Sequence, residues 1–290
     1  MSEYKETELI INSNGEIYHL NLQPEQIADT IIVVGDPDRV PVISKYFDTI
    51  ETKVQNREIV THTGFLNNKR LSVLSTGMGT DNIDIVMNEL DALVNIDFET
   101  RLIKPNLTSL NIIRLGTSGA IQPDIPTDAV AISIAGLGLD GLLNFYRIDK
   151  DILNTKLVDA FIKHVGWNNN LPKPYAVEGS KHLLEKLGKG FYRGITATAP
   201  GFYGPQGRVL RLNIQNPGLN EKMQSFSFNG ERIINFEMET SALYGLGGLL
   251  GHNMITVCAV IANRVNNTYN KDYKKVIENL IKTVLERLTS

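Results

Sequence analysis

The chain has 290 residues, 42% of them hydrophobic, and a formal net charge of −3. That is enough apolar material for a large core, and it excludes a chain disordered throughout. The near-balanced charge leaves no electrostatic footprint for nucleic acid or an anionic membrane surface, and no uninterrupted apolar stretch is long enough to cross a bilayer.

The first ten residues, MSEYKETELI, are polar and acidic and do not read as a signal peptide. Short β-branched runs then predict strands at 30–34 (TIIVV), 70–75 (RLSVLS), 111–116 (NIIRLG), 129–135 (AVAISIA), 192–199 (YRGITATA), 232–237 (RIINFE) and 254–262 (MITVCAVIA). Amphipathic helices lie between and after them. Ile83, Val86, Met87, Leu90, Leu93 and Val94 recur on one helical face, as do Val276, Ile277, Leu280, Ile281, Val284, Leu285 and Leu288 near the C-terminus. Strand and helix in alternation predict an α/β fold on a largely parallel, buried sheet. GWNNNLPKP (166–174) is the most loop-like stretch, but no repeat or composition break divides the chain, so one domain over 1–290 is expected. The single cysteine, Cys258, excludes an internal disulfide and reads as a small buried hydrophobe. It fits a reducing compartment, so a cytoplasmic location is expected.

Ligands of open α/β sheets bind beyond the carboxyl ends of the strands. Four of those ends carry chemistry. GDPDR follows the first strand, with Asp36 suited to an N-cap, Pro37 to the first helical position and VPVISKYF to the helix. Gly35, the exposed amides and Arg39 could hold an anion; the two aspartates suggest a metal; a capped turn with a solvated arginine explains the stretch as well. STGMGTD (75–81) lacks the third glycine of a dinucleotide loop, since Asn82 stands there, and predicts a strand-to-helix turn. RLGTSGA (114–120) sets Arg114 in a buried-looking strand before Thr117, Ser118 and two glycines. The glycines predict a bend and an anion-binding nest, or else a turn above an Arg–carboxylate pair. EMET (237–240) offers Glu237 and Glu239 around Met238, either as sugar-hydroxyl acceptors or as acids at the start of the helix TSALYGLGGLL. Beyond these, the Gly/Pro loop APGFYGPQGR (199–208) presents Phe202, Gln206 and Arg208, groups that can read a planar ligand, and is otherwise a surface turn.

Taken together, GDPDR, RLGTSGA, EMET and FYGPQGR resemble the nucleoside phosphorylase superfamily and its pyrimidine branch, the uridine phosphorylases. The likeness runs from IYHLNL (17–22) to VIANRVNN (260–267). The resemblance implies an α/β sandwich around a central mixed, partly barrel-like sheet flanked by helices, in a dimer-based hexamer with shared active sites. It implies reversible phosphorolysis of uridine, with phosphate as co-substrate and no cofactor. By the same resemblance, Gly35, Arg39, Arg114 and Thr117 bind phosphate, and Arg57 reaches the phosphate of a neighbouring subunit. His19 contacts the sugar across the dimer, and Met238 and Glu239 hold ribose. Phe202, Gln206, Arg208 and Arg264 hold the base, with Arg208 and Gln206 stabilising it as it leaves. Glu58 and Ser75 match the positions at which some relatives hold a monovalent cation. GPQGR stands where bacterial relatives have PGQER, which bears on base selectivity. A purine phosphorylase, a nucleosidase of the same fold and a nucleoside-binding regulatory protein are the competing readings.

Overall fold

The structure is a computed structural model that describes residues 3–148 and 151–290. The first third contains β1 (Thr30–Val34), α1 (Arg39–Ser44), β2 (Thr49–Asn56), β3 (Ile59–Leu66), β4 (Lys69–Ser75) and α2 (Thr80–Asn95). A small hairpin, β5 (Ile96–Asp97) and β6 (Leu102–Ile103), leads to β7 (Asn111–Ala120), β8 (Val130–Gly138), α3 (Thr155–Val165), β9 (Tyr175–Glu178) and α4 (Lys181–Leu187). The last third runs β10 (Tyr192–Thr198), α5 (Leu219–Ser225), β11 (Ser227–Phe228), β12 (Glu231–Glu237), α6 (Thr240–Leu250), β13 (Asn253–Asn263), β14 (Thr268–Tyr269) and α7 (Tyr273–Thr289).

Five strands close on themselves in the order β12-β10-β8-β13-β7, because β12 also pairs with β7. β1, β4, β3 and β2 extend the sheet outward from β7. The sheet is mixed rather than largely parallel: β8–β13, β7–β12, β4–β3 and β3–β2 are antiparallel. The partly closed, mixed sheet is the one that the family resemblance implies.

Burial explains the unbroken apolar runs. In β1, Ile31 and Val33 pack with α2 residues Ile83, Met87 and Leu90 on one face. Ile32 and Val34 pack with Val40 and Ile43 of α1 and with Ile281 and Val284 of α7 on the other. A strand covered on both faces has no polar alternation to show. The predicted helix faces hold: all named α2 and α7 positions are buried except the half-buried Val94 and Val276. No described helix is long and apolar enough to cross a membrane.

Three local expectations fail for physical reasons. The helix after β1 begins at Arg39, not Pro37. Asp36 does cap, but it caps a turn: its carboxylate accepts the Asp38 amide at 3.0 Å, and the amides of Arg39 and Val40 bond three residues back. β7 does not stop at Gly116; it continues through Ala120, so GTSG is extended strand and forms no nest. Here Gly116 is required by packing, since a Cβ at that position would collide with the Arg114 guanidinium. Finally, β2 and β3 form a hairpin that periodicity misses. β2 is a polar edge strand, and its tight turn uses Arg57 at φ 54° in place of the usual glycine or asparagine.

Gly64 of β3 faces that edge strand so closely that an added Cβ would run into the Thr49 carbonyl, with the Ile50 Cα at 2.9 Å. Gly64→Ala is expected to cost roughly 1–3 kcal/mol as an overpacking change. Urea unfolding should show a lower midpoint at unchanged slope; an unchanged midpoint would mean that β2 yields freely.

Candidate active site

The site begins with an unshared strand edge. β13 pairs along β7 from Asn111 to Ala120. The other edge of β7 is divided: β1 pairs with 111–114, and β12 pairs with Gly119 and Ala120. Residues 115–118 therefore lie between two neighbours that have diverged, a switch point of the kind where α/β sheets hold ligands. Arg39 reaches into this gap and donates from Nη1 to the Leu115 carbonyl at 3.1 Å. Gly35 sits at the end of β1, where a Cβ would stand 3.2 Å from the Gly77 carbonyl.

Arg114 is 5% exposed and lies between two carboxylates that are each 4% exposed. It forms a direct ion pair with Glu239, and its Nη1 lies 3.3 Å from Glu237 Oε2. Burial alone would push the Arg114 pKa down, but Glu239 and Glu237 outweigh it and the value is raised. Arg114 Nη1 also donates to Cys258 Sγ at 3.3 Å. Burial pushes that thiol up to about 11, so it stays protonated at neutral pH. Arg39 differs: burial lowers its pKa, and among the described residues no carboxylate forms an ion pair with it. The charge of Asp36 opposes that drop without forming an ion pair with it.

The two EMET carboxylates converge on Arg114. Glu237 ends β12 and accepts the amides of Glu239 and Thr240 at 2.9 Å, so it serves the first turn of α6. Thr198 donates to its other oxygen at 2.6 Å. Burial raises the Glu237 pKa, and Arg114 opposes that rise. Glu239, two residues on, accepts the Gly79 amide at 2.8 Å as well as Arg114. STGMGTD is thus the expected strand-to-helix turn, and its Gly79, at φ 95°, ties α2 to the site. Met238 between them is half-buried.

The Gly/Pro loop forms a second cluster. The Arg208 guanidinium stacks 3.7 Å from the centre of the exposed Phe202 ring and donates to the Phe202 carbonyl and to Gln206 Oε1, each at 2.6 Å. Gln206 is buried. Arg264 donates to the Gln206 carbonyl at 3.1 Å, and its own amide bonds the Ala120 carbonyl at the end of β7. Burial, then the neighbouring Arg264, push Arg208 down to about 10, which leaves it charged at neutral pH.

Except for Thr117, the remaining expected residues separate from these clusters. Thr117 is half-buried in the gap segment of β7. His19 Nδ1 lies 2.6 Å from Glu89, whose carboxylate also accepts the His19 and Leu20 amides. Arg57 is exposed at the hairpin tip, 5.8 Å over the Tyr18 ring. Within the described residues, no hydrogen bond or ion pair joins His19 or Arg57 to Arg39 or Arg114. Ser75 Oγ donates to the Glu58 carbonyl and accepts the Val60 amide, both at 2.7 Å. Glu237 and Cys258 are the Arg114 partners that motif reading does not assign: Glu237 reads as a sugar-hydroxyl acceptor or helix-start acid, and Cys258 as a small buried hydrophobe. The even spacing of Glu237 and Glu239 was a signal for the first; only the β7–β13 register, which sets Gly116 beside Cys258, reveals the second.

The partly closed mixed sheet thus carries an arginine-lined gap at its switch point and a second cluster of Phe202, Gln206, Arg208 and Arg264 beyond it. A model of the phosphorylase superfamily matches residues 29–289, and the chain belongs to that family. It is similar to a uridine phosphorylase of Thermococcus kodakarensis, 33% identical over 269 residues, which cover 90% of this chain and 82% of that protein. It is also similar to a DeoD-type purine nucleoside phosphorylase of Brevibacillus brevis, 30% identical over 246 residues, 83% of this chain and 85% of that one. Among solved structures, a Trypanosoma brucei nucleoside phosphorylase described as showing uridine phosphorylase activity superposes with a TM-score of 0.87 at 30% identity, covering 97% of this chain and 99% of that one.

Arg114→Met keeps volume but leaves Glu237 and Glu239 buried without their cation. A stability loss of about 3–5 kcal/mol is expected. The stranded carboxylates would titrate above their unfolded value, so the folded state would hold more protons than the unfolded one. Stability then falls as pH rises, and the loss should be greater near pH 8 than near pH 5 by denaturant unfolding. A loss independent of pH would show that the pair had become solvated.

Proposed function

We propose that the protein catalyses the reversible phosphorolysis of uridine, giving uracil and ribose 1-phosphate. The observation that carries this reading is the pairing of the arginine gap with the Phe202–Gln206–Arg208–Arg264 cluster, the two linked through β7. Support comes from the similar proteins that carry the uridine phosphorylase name.

In this reading, phosphate lies by Gly35, Arg39, Arg114 and Thr117. One phosphate oxygen forms a bond to C1′ while the C1′–N1 bond breaks, and the bonding pair leaves with the base. The sugar passes through a cationic, oxocarbenium-like state, which the phosphate anion and the Glu239 carboxylate stabilise by charge. Glu239 also accepts from the sugar hydroxyls, beside Met238. Arg208 offsets the negative charge that grows on the departing uracil. Gln206 gives its carbonyl oxygen to Arg208, and its amide N–H groups remain donors for a pyrimidine carbonyl. Positioning and fixed charge supply the rate enhancement, and no nucleophilic side chain is required.

A purine substrate is the second reading, since a purine phosphorylase is among the similar proteins. By resemblance, such enzymes protonate the purine with an aspartate near the last strand end. Here that end carries Asn263, which is spent on structure. Its Nδ2 donates to the Gln122 and Ile125 carbonyls at 2.8 Å, and its Oδ1 accepts the Val265 and Asn266 amides at 2.9 Å. A hexamer of site-sharing dimers belongs to the same proposal. His19 and Arg57 occur together on one surface, where Asn56 bonds the His19 carbonyl at 3.0 Å.

The deciding assay is phosphate-dependent turnover of uridine, thymidine, inosine and adenosine. Uridine should react fastest; preference for inosine would overturn the base assignment, turnover without phosphate would support a nucleosidase, and tight uridine binding without turnover a regulatory protein. Arg208→Ala should lower kcat for uridine by about 10²–10³-fold, the usual loss of a group that stabilises developing charge. Full turnover in that variant would remove Arg208 from the leaving-group role. Mixing inactive His19→Ala and Arg208→Ala chains should restore a fraction of activity, and no recovery would count against shared sites.

A further inference from the structure

A cavity of about 390 Å³ opens at the opposite ends of the strands that hold the arginine gap. β1 and β4 present Thr30 and Lys69 to it, and their far ends carry Gly35 and Ser75; β7 presents Asn111, three residues before Arg114, and runs on to Ala120. Two ammonium groups line it close together. Lys69 Nζ donates to the Leu288 carbonyl at 2.7 Å and to Ser290 O at 3.3 Å; Lys186 Nζ donates to the same Leu288 carbonyl at 3.3 Å. Within the described residues, neither lysine forms an ion pair with an Asp or Glu side chain. Burial, then the neighbouring Lys69, lower the Lys186 pKa. His182 adds a third basic group, and Asp29 is the single acid of the lining. Arg70 is committed elsewhere, to Glu51 and to the Glu25 and Ile27 carbonyls. The buried Leu71 and Leu183 form an apolar wall.

We propose that this cavity binds a phosphate monoester of a sugar or nucleoside, its phosphate bridging Lys69 and Lys186 and its carbon skeleton lying on Leu71 and Leu183. A dianion with several oxygens can accept from two adjacent ammoniums at once, which a neutral ligand cannot. Asp29, Thr30 and Asn111 supply acceptors and donors for sugar hydroxyls. The site is distinct from the arginine gap, and the proposal does not rest on the reaction assigned there.

The test is titration calorimetry of the full chain with ribose 5-phosphate, comparing wild type, Lys186→Gln, Lys69→Gln and Arg39→Ala. Each glutamine removes the charge and retains an amide donor on a side chain one atom shorter, so thermal unfolding should stay close to wild type. Each is expected to weaken binding about tenfold, the size of one charge-assisted hydrogen bond, and to do so equally when made in the Arg39→Ala background, which retains the cavity site. In the Arg39→Ala background, inorganic phosphate should bind more weakly than the ester. The proposal is overturned by absence of saturable binding to wild type. It is equally overturned by equal affinity in both glutamine variants, by loss of binding in Arg39→Ala alone, or by equal affinity for phosphate and ester.

Discussion

The charge of Arg114 is the constraint around which the structure is arranged. An arginine this buried is costly unless it is paired, and here two carboxylates and a thiol surround it. Each contact fixes a different element. Glu237 ends β12, Glu239 begins α6, and Cys258 lies across the β7–β13 ladder. Gly116 leaves the space that the guanidinium fills. Glu237 also accepts the first amides of α6, so the ion pair and the helix start share one carboxylate. That arrangement couples the closure of the strand ring to the orientation of Glu239.

The interior near this pair is polar, yet it is connected. Thr198 donates to Glu237 and accepts the Ser241 amide, and Ser241 donates to Asp140, which also accepts from Tyr175. A parallel series runs from Ser133 through Thr196 and Asn235 to Ser118. In a low-dielectric interior such series hold only when their members are satisfied. The two series link β7, β8, β10 and β12 by directional bonds where apolar packing would allow sliding.

What the sequence discloses follows the same division between patterned and non-local order. β1 and the helices α2 and α7 are legible because burial on both faces of a strand, or on one face of a helix, writes itself as periodicity. The polar edge strand β2 and its Arg57 turn carry no such pattern. In RLGTSGA the glycines suggest a turn, yet one of them is demanded by the arginine two residues earlier. The residue types of the site were therefore readable, whereas the commitments of those residues were not. Whether Arg114 faces a ligand or a carboxylate depends on β12 meeting β7 in antiparallel register, a contact about 120 residues distant in the chain.

Those commitments alter the meaning of the paired arginines. Arg114 with Glu237 and Glu239 sums to one negative charge, and Arg39 brings the group to neutrality. A phosphate drawn to this gap would meet Arg39, which forms no ion pair among the described residues but feels the charge of Asp36, and one cation already shared with acids. Any further positive charge has to come from outside this set, and Arg57 stands exposed on a hairpin tip with no internal counter-ion among the described residues. The base cluster lies beyond residues 115–118, whose four positions span about 13 Å at roughly 3.3 Å per strand residue. A ligand filling that interval would touch Arg39 at one end and the Arg208–Gln206 pair at the other, with Glu239 on the Arg114 side. Its anion would be held by a site nearly neutral in isolation, so binding would depend on Glu239 exchanging part of its hold on Arg114 for the hydroxyls of a sugar.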